Sequence, residues 1–191
     1  MQSAQQDVVA VILADGQGRR IGGDKARVML AARPLWRHVA ARLQGQVAAL
    51  AVNGQGDFGD CPVLADAVPG QGPLGGVLAA MDWAAGQGAV RVLTVAVDTP
   101  FLPDDLVERL AAAPGPIAVA RTQDGLHGTT ALWDVGLASD LREALADGTR
   151  KVTDWAGRVG FTPVDFPNQT PPPFFNINTP DDLARAEAWL A

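Results

Sequence analysis

The sequence predicts an α/β domain, a three-layer α/β/α sandwich around one mostly parallel sheet. Three observations lead there. The chain opens on an unbroken apolar run, Val8 to Leu13, that leads directly into a Gly-rich loop; so short a run reads as a strand covered on both faces. A second near-continuous run, Val90 to Val97, ends in Asp98, and open α/β sheets place their chemistry at the carboxyl ends of central strands. Strand-like runs then alternate with segments of helical spacing along the whole chain, with no repeat or linker between them. A single domain spanning residues 1–191 is expected, large enough to bury a core.

Composition narrows the classes of function. Of the 15 basic residues, six lie between Arg19 and Arg37, so a local positive field stands against a net charge of −6 and a pI near 4.7. That pattern suits a pocket for a small anion and argues against nucleic acid as the partner. No apolar run is long enough to span a bilayer, and Met1 to Gln6 lack the basic start and apolar core of a signal peptide. Cys61 is the only cysteine, which excludes an internal disulfide; together these features set the expectation of a cytoplasmic protein.

The loop after the first strand, LADGQGRRIGGDK from Leu13 to Lys25, carries the first chemical signal. Its glycines let backbone N–H groups approach a ligand with no Cβ in the way. Arg19, Arg20 and Lys25 add charge that favours a polyphosphate. The loop is not a P-loop, because no Ser or Thr follows Lys25, and not a dinucleotide fingerprint, because Ile21 occupies the third glycine position. A solvated Gly- and Arg-rich connection is the plain alternative. Lysine occurs only at 25 and 151, in a chain that otherwise uses arginine. A compact ammonium at position 25 suits a phosphate differently from a planar guanidinium.

The remaining elements follow in order. Arg27 to Leu30 is a short extended piece. Pro34 opens a helix, LWRHVAARL, with Leu35, Val39 and Leu43 at helical spacing; His38 on it is expected as a surface residue rather than a ligand. Val47 to Val52 is the second strand and ends at Asn53-Gly54, a turn dipeptide. Cys61 to Leu64 is the third, followed by Asp66. Gly72-Pro73-Leu74 turns into a helix that starts with Gly75 and Gly76, small enough for close packing. After Val90 to Val97, the next helix is expected near Pro103, with Asp104 and Asp105 in its first turn. Ile117 to Ala120 is the fifth strand, Thr122 to Gly128 a loop carrying His127, and Thr129 to Trp133 another extended piece. A helix over Val135 to Ala146, the segment Gly148-Thr149-Arg150-Lys151 and a helix to about Ala156 come next. Phe161 to Phe166 reads as an edge strand and the proline-rich Asn168 to Pro173 as a loop. In FFNIN, Phe174 to Asn178, alternation puts Asn176 and Asn178 on one face. Thr179, Pro180, Asp181 and Asp182 form a helix start, and the helix to Leu190 is expected to pack on the sheet.

Four of these stretches, in order, resemble one family. LADGQGRRIGGDK is similar to LAGGxxxRMGxDK, the loop signature of nucleotidyltransferases that act on the molybdenum cofactor, with Asp15 replacing the first glycine of the pair and Ile21 replacing methionine. GPLGG, DTPFLP and FFNINTPDDL are similar to that family's GPLAG, DTPFLP-like and FxNxNTPEDL segments. His127 in LHGTTALW and the GTRK segment have family counterparts too, although Gly128 stands where proline is usual.

The resemblance implies a Rossmann-like nucleotidyltransferase fold. It implies guanylyl transfer from GTP to molybdenum-molybdopterin, which yields the guanine dinucleotide cofactor and pyrophosphate. The backbone around Leu13, Ala14, Asp15 and Gly16 would read the base and, with Arg19 and Lys25, hold the phosphates. Asn53 and Asp66 would touch the nucleotide, with turn chemistry and a solvated strand end as their plain alternatives. Asp98 would hold Mg²⁺, and Asn176 and Asn178 would line the side of the second substrate. His127, Arg150 and Lys151 are candidates for that second pocket or for structural roles. The implied partners are GTP, molybdenum-molybdopterin and molybdoenzyme-specific chaperones, with no nucleic acid and no membrane, for a monomeric protein. Two alternatives share these motifs. One is a cytidylyltransferase acting with CTP on the same cofactor, whose loop usually reads LAAG. The other is a catalytically weak nucleotide-binding homologue, in which Asp15 sets a negative charge where the triphosphate would lie. Sugar-1-phosphate nucleotidyltransferases share the implied fold in longer chains.

Overall fold

In the computed structural model, residues 8–14, 17–18, 23–66 and 70–191 are described. In chain order the strands are β1 (Val8–Leu13), β2 (Gln17–Gly18), β3 (Gly23–Asp24), β4 (Met29–Leu30), β5 (Arg33–Pro34), β6 (Leu50–Asn53), β7 (Val63–Leu64), β8 (Arg91–Ala96), β9 (Ile117–Thr122), β10 (Gly125–Asp134) and β11 (Thr162–Asp165). The helices are α1 (Leu35–Leu43), α2 (Pro73–Gly86), α3 (Leu106–Ala111), α4 (Ala138–Ala146), α5 (Val152–Val159) and α6 (Pro180–Leu190). Seven strands form the main sheet in the order β11-β9-β10-β8-β1-β6-β7, which puts β8 in the middle, as its continuous apolar run requires. Within this sheet every ladder is parallel except the two made by β10, while β2–β3 and β4–β5 form two small antiparallel pairs outside it. The expected mostly parallel three-layer architecture is therefore observed.

The side-chain period of the strands divides the core in two. Val8, Ala10 and Ile12 of β1 pack beneath α1 and α3, whereas Val9 and Val11 pack beneath α2, α4 and α5. α2 buries residues almost all round its axis, from Leu74 to Ala84, as a helix enclosed by sheet and neighbouring helices must. On the opposite face Leu35, Trp36, Val39 and Leu43 form the buried stripe of α1.

Several boundaries differ from expectation, each for a local reason. The second and third strands begin later, at Leu50 and Val63. The helix after Asp98 starts at Leu106 rather than near Pro103. Its cap is Gln46, from a different part of the chain: the buried side-chain carbonyl accepts from Val107 N–H at 3.1 Å while its amide donates to the Arg42 and Pro103 carbonyls. Asp104 and Asp105 precede the helix and pair instead with Arg42 and Arg109. Val135–Leu137 is a 3₁₀ turn leading into α4. The expected loop at Thr122 to Gly128 is a hairpin: β9 turns through Gln123-Asp124 directly into β10. FFNIN is not a strand, because Phe174 turns at φ +61° and Ile177 N–H then bonds the Asp98 carbonyl at 2.9 Å. His38 is half-buried and its Nε2 lies 2.8 Å from the Leu30 carbonyl, which fastens β4 to α1.

α6 packs in a third, small cluster with Leu30, Leu35, Phe101 and Ile177, contributing Ala186, Leu183 and Trp189. Its start is the capping box that the sequence announces: Thr179 Oγ1 accepts from Asp182 N–H at 3.1 Å and the Asp182 carboxylate accepts from Thr179 N–H at 3.0 Å. Thr179→Ala is expected to cost about 1 kcal/mol of unfolding free energy in urea titrations. The Thr179 hydroxyl holds the Asp182 carboxyl below its ordinary 3.8. A carboxyl held low stabilises the fold above its ordinary pKa and loses that contribution as pH falls through its folded value. The difference between wild type and Thr179→Ala therefore narrows below pH 3.8.

Candidate active site

β1, β6 and β8 run parallel, so their carboxyl ends share one rim, and a cleft of about 600 Å³ opens there. Leu13, Asn53 and Asp98 line it from the ends of these strands, Asp66 from beyond β7, and Lys25 from the 3₁₀ turn Lys25–Arg27. Asp24 sets that turn by accepting from Ala26 N–H at 3.0 Å. The Lys25 ammonium then lies 2.7 Å from Asp98 Oδ2 across 73 positions of sequence, with both side chains largely buried. It also donates to the Asn178 side-chain carbonyl. Asp98 is held from its own side, since the Thr99 hydroxyl donates to the Ala96 carbonyl at 2.8 Å and closes the turn after β8.

The wall formed by β6 depends on two glycines. Asn53 is buried and its amide donates to Asp66 Oδ1 at 2.9 Å and to the Leu64 carbonyl at 3.3 Å. A Cβ at Gly76 would lie 2.5 Å from Asn53 Oδ1 and 2.9 Å from a Leu13 methyl, and one at Gly75 would lie 2.6 Å from Asp66 Oδ2. The start of α2 thus presses bare backbone against the two polar groups of this wall.

A second hollow of about 400 Å³ adjoins the cleft, and Pro73, Thr129 and Asn176 line both. Lys151 and Thr153 at the start of α5, with Arg150 just before, give the second hollow a cationic side. Arg150 spends one terminal nitrogen on the Leu145 and Thr149 carbonyls, both at 2.8 Å, while Lys151 makes no ion pair among the described residues. His127 also lines this hollow, with Nε2 at 2.8 Å from the Thr122 hydroxyl and its ring 4.8 Å from that of Phe174. Burial pushes its pKa below the ordinary 6.5, against a weaker opposite pull from Asp124.

The structure therefore brings Leu13, Lys25, Asn53, Asp66, Asp98 and Asn176 to one cleft. Asn178 reaches it through Lys25. Ala14 is buried and its N–H bonds the Asn53 carbonyl at 2.7 Å. Asp15, Gly16 and Arg19 lie outside the described residues. Sequence reasoning missed Pro73 and Thr129 as boundary residues. Thr129 in particular gives no local signal, because Thr-Thr before Ala-Leu-Trp reads as ordinary strand. No cluster of three or more His, Cys, Asp or Glu suited to a metal occurs among the described residues.

A family model described as a MobA-like NTP transferase domain matches residues 10–167. A molybdenum cofactor guanylyltransferase of Rhizobium leguminosarum bv. trifolii is 46% identical over 197 aligned positions, covering 97% of this chain and 94% of that protein. One of the same name from Mesorhizobium japonicum is 44% identical and covers 97% of each. Among solved structures, molybdopterin-guanine dinucleotide biosynthesis protein A of Archaeoglobus fulgidus superposes with a TM-score of 0.75 at 26% identity, covering 95% of this chain and 97% of that one.

Two outcomes test this geometry. Gly76→Ala forces Asn53 or Leu13 aside and is expected to destabilise the protein by about 1–3 kcal/mol in denaturant titration. For His127, a folded pKa below 6.5 means that the unfolded chain takes up the proton first. Stability should then fall as pH is lowered through 6.5 toward the folded value. His127→Gln should flatten that part of a melting-temperature profile.

Proposed function

Because this chain belongs to the MobA-like NTP transferase family, we propose that it transfers GMP from GTP to molybdenum-molybdopterin. The products would be the guanine dinucleotide cofactor and pyrophosphate. It is a nucleotidyltransferase by family and by near full-length similarity to molybdenum cofactor guanylyltransferases. The observation that carries the reading is the pair of adjoining hollows with Lys25 and Asp98 in one and Lys151 in the other. Two anions must be brought together for this reaction, and each hollow offers a cation.

In this reading GTP occupies the larger cleft. The backbone from Leu13 through Ala14, Asp15 and Gly16 meets the base, Arg19 and Lys25 take the phosphates, and Asn53 and Asp66 contact the nucleoside. The acceptor lies in the second hollow, with Asn176 on its border; Asn178, expected on the same side, instead holds the Lys25 ammonium of the larger cleft. An oxygen of its terminal phosphate attacks the α-phosphorus of GTP. The bond from that phosphorus to the bridging oxygen of the β-phosphate breaks, and the electron pair leaves with pyrophosphate. The chain's work is positioning and charge compensation; no covalent enzyme intermediate is needed.

Mg²⁺ fits the donor chemistry. This ion binds through one or two carboxylates plus phosphate oxygens and keeps several waters, and Asp98 supplies such a carboxylate with only Oδ2 engaged by Lys25. Bound there, Mg²⁺ would screen the charge between the two phosphate groups. Guanine rather than cytosine is supported by the names of the relatives at 44–46% identity, although LADG matches neither usual loop. No helix among the described residues is long and apolar enough to cross a membrane. The proposed role is that of a cytoplasmic monomer that hands its product to molybdoenzyme-specific chaperones.

Purified protein with labelled GTP or CTP, Mg²⁺ and molybdopterin tests the reaction. Labelled guanine dinucleotide and pyrophosphate are expected. Product with CTP alone would select the cytidylyl alternative, and nucleotide binding without product would mark the weak homologue. Lys25→Met is expected to weaken GTP binding about 10- to 100-fold by calorimetry, as loss of a charge-assisted contact does. Asp98→Asn should lower kcat by a similar factor and blunt its dependence on Mg²⁺ concentration.

A further inference from the structure

β8 is apolar apart from Arg91 at its start and one interior residue, Thr94. Thr94 is fully buried, where valine would have the same shape and greater strand preference. Its hydroxyl both accepts and donates. The Trp133 indole donates to Thr94 Oγ1 at 2.8 Å, and Thr94 Oγ1 lies 2.9 Å from the Thr129 carbonyl. An indole N–H can only donate, so the single hydroxyl proton of Thr94 must go to Thr129. Trp133 is itself fixed, stacked on Trp155 at 5.7 Å, and the Trp155 indole donates to Asp140 at 2.6 Å.

Thr129 sits where the sheet gives it least support. The ladder between β10 and β8 ends at the Ala131–Thr94 pair. On the other side the register with β9 shifts between Leu126 and Ala131, leaving His127, Gly128, Thr129 and Thr130 opposite Ala120 alone. This irregular stretch is the part of β10 that lines the second hollow, and Thr129 lines the cleft as well.

We propose that Thr94 is a positioning residue for group transfer: through its bond to Thr129 it fixes the partition between the two hollows, and so the approach of one substrate to the other. This role rests on the two-substrate reading above. It predicts a particular kinetic signature, because a small misplacement of reacting groups lowers turnover far more than it lowers the binding of either partner alone.

The test compares Thr94→Val, Thr94→Ser and wild type in the GMP-transfer assay, with GTP affinity measured separately by calorimetry. Thr94→Val should lose about 10- to 100-fold in kcat while its GTP dissociation constant stays within about two-fold of wild type. Thr94→Ser, which keeps the hydroxyl, should recover most of the turnover. Should Thr94→Val fail to fold, the double variant Thr94→Val/Trp133→Phe leaves no orphaned indole donor in the core and should show the same loss of kcat. Turnover by Thr94→Val within two-fold of wild type overturns the role, as does a parallel loss of GTP affinity, or a Thr94→Ser variant as impaired as the valine. A wild-type protein that transfers no GMP overturns the reaction and this role with it; an active wild type beside an unimpaired Thr94→Val overturns the role alone.

Discussion

The contact between the Lys25 ammonium and the Asp98 carboxylate, at 2.7 Å, is the constraint from which the cleft follows. A partly buried ion pair is a poor source of stability, since both charges give up water to make it. What it does is bring three distant pieces of chain to one point. Lys25 comes from the connection after β1, Asp98 from the end of β8, and Asn178, which shares the ammonium, from just before the last helix. The Ile177–Asp98 backbone bond adds a second tie between the last two pieces. The charges of Lys25 and Asp98 compensate each other, so the cleft holds a cation and an anion in direct contact.

Function then follows from adjacency more than from any reactive side chain. The described residues offer no preassembled metal cluster. They offer two hollows with a common border, a carboxylate facing one and a lysine facing the other. The chain is acidic overall, yet each hollow carries a lysine, Lys25 in one and Lys151 in the other. On the proposed reading such a site would raise the local concentration and alignment of its substrates, and phosphate chemistry responds strongly to both.

Legibility from sequence tracked how local the determinant was. β1, α1, the start of α2 and the capping box of α6 were readable because apolar period, proline and Thr-to-Asp spacing act within a few residues. The start of α3 was not, because its cap, Gln46, comes from the turn after α1. The β9–β10 hairpin was missed although Asp124-Gly125 is a turn signal, because the irregular pairing of residues 127–130 breaks the alternation that marks a strand. Lys25 is marked by the charge of its Gly-rich loop, Asp98 by its place at the end of a central strand and Asn178 by the family resemblance; neither motif nor composition says that they meet. Thr129 had no signal in either, since its place on the border of the hollows is a product of register.

α6 lies outside both hollows, yet it is bound into their construction. The Trp189 ring is wedged edge-on between Phe101 at 5.6 Å and Phe175 at 4.9 Å. Phe101 follows Asp98 by three positions, and Phe175 immediately precedes Asn176. This aromatic wedge therefore joins the turn that carries Asp98 to the segment that carries Asn176. Trp189 thus touches the cleft only at second hand, by way of two rings that neighbour Asp98 and Asn176 in the chain.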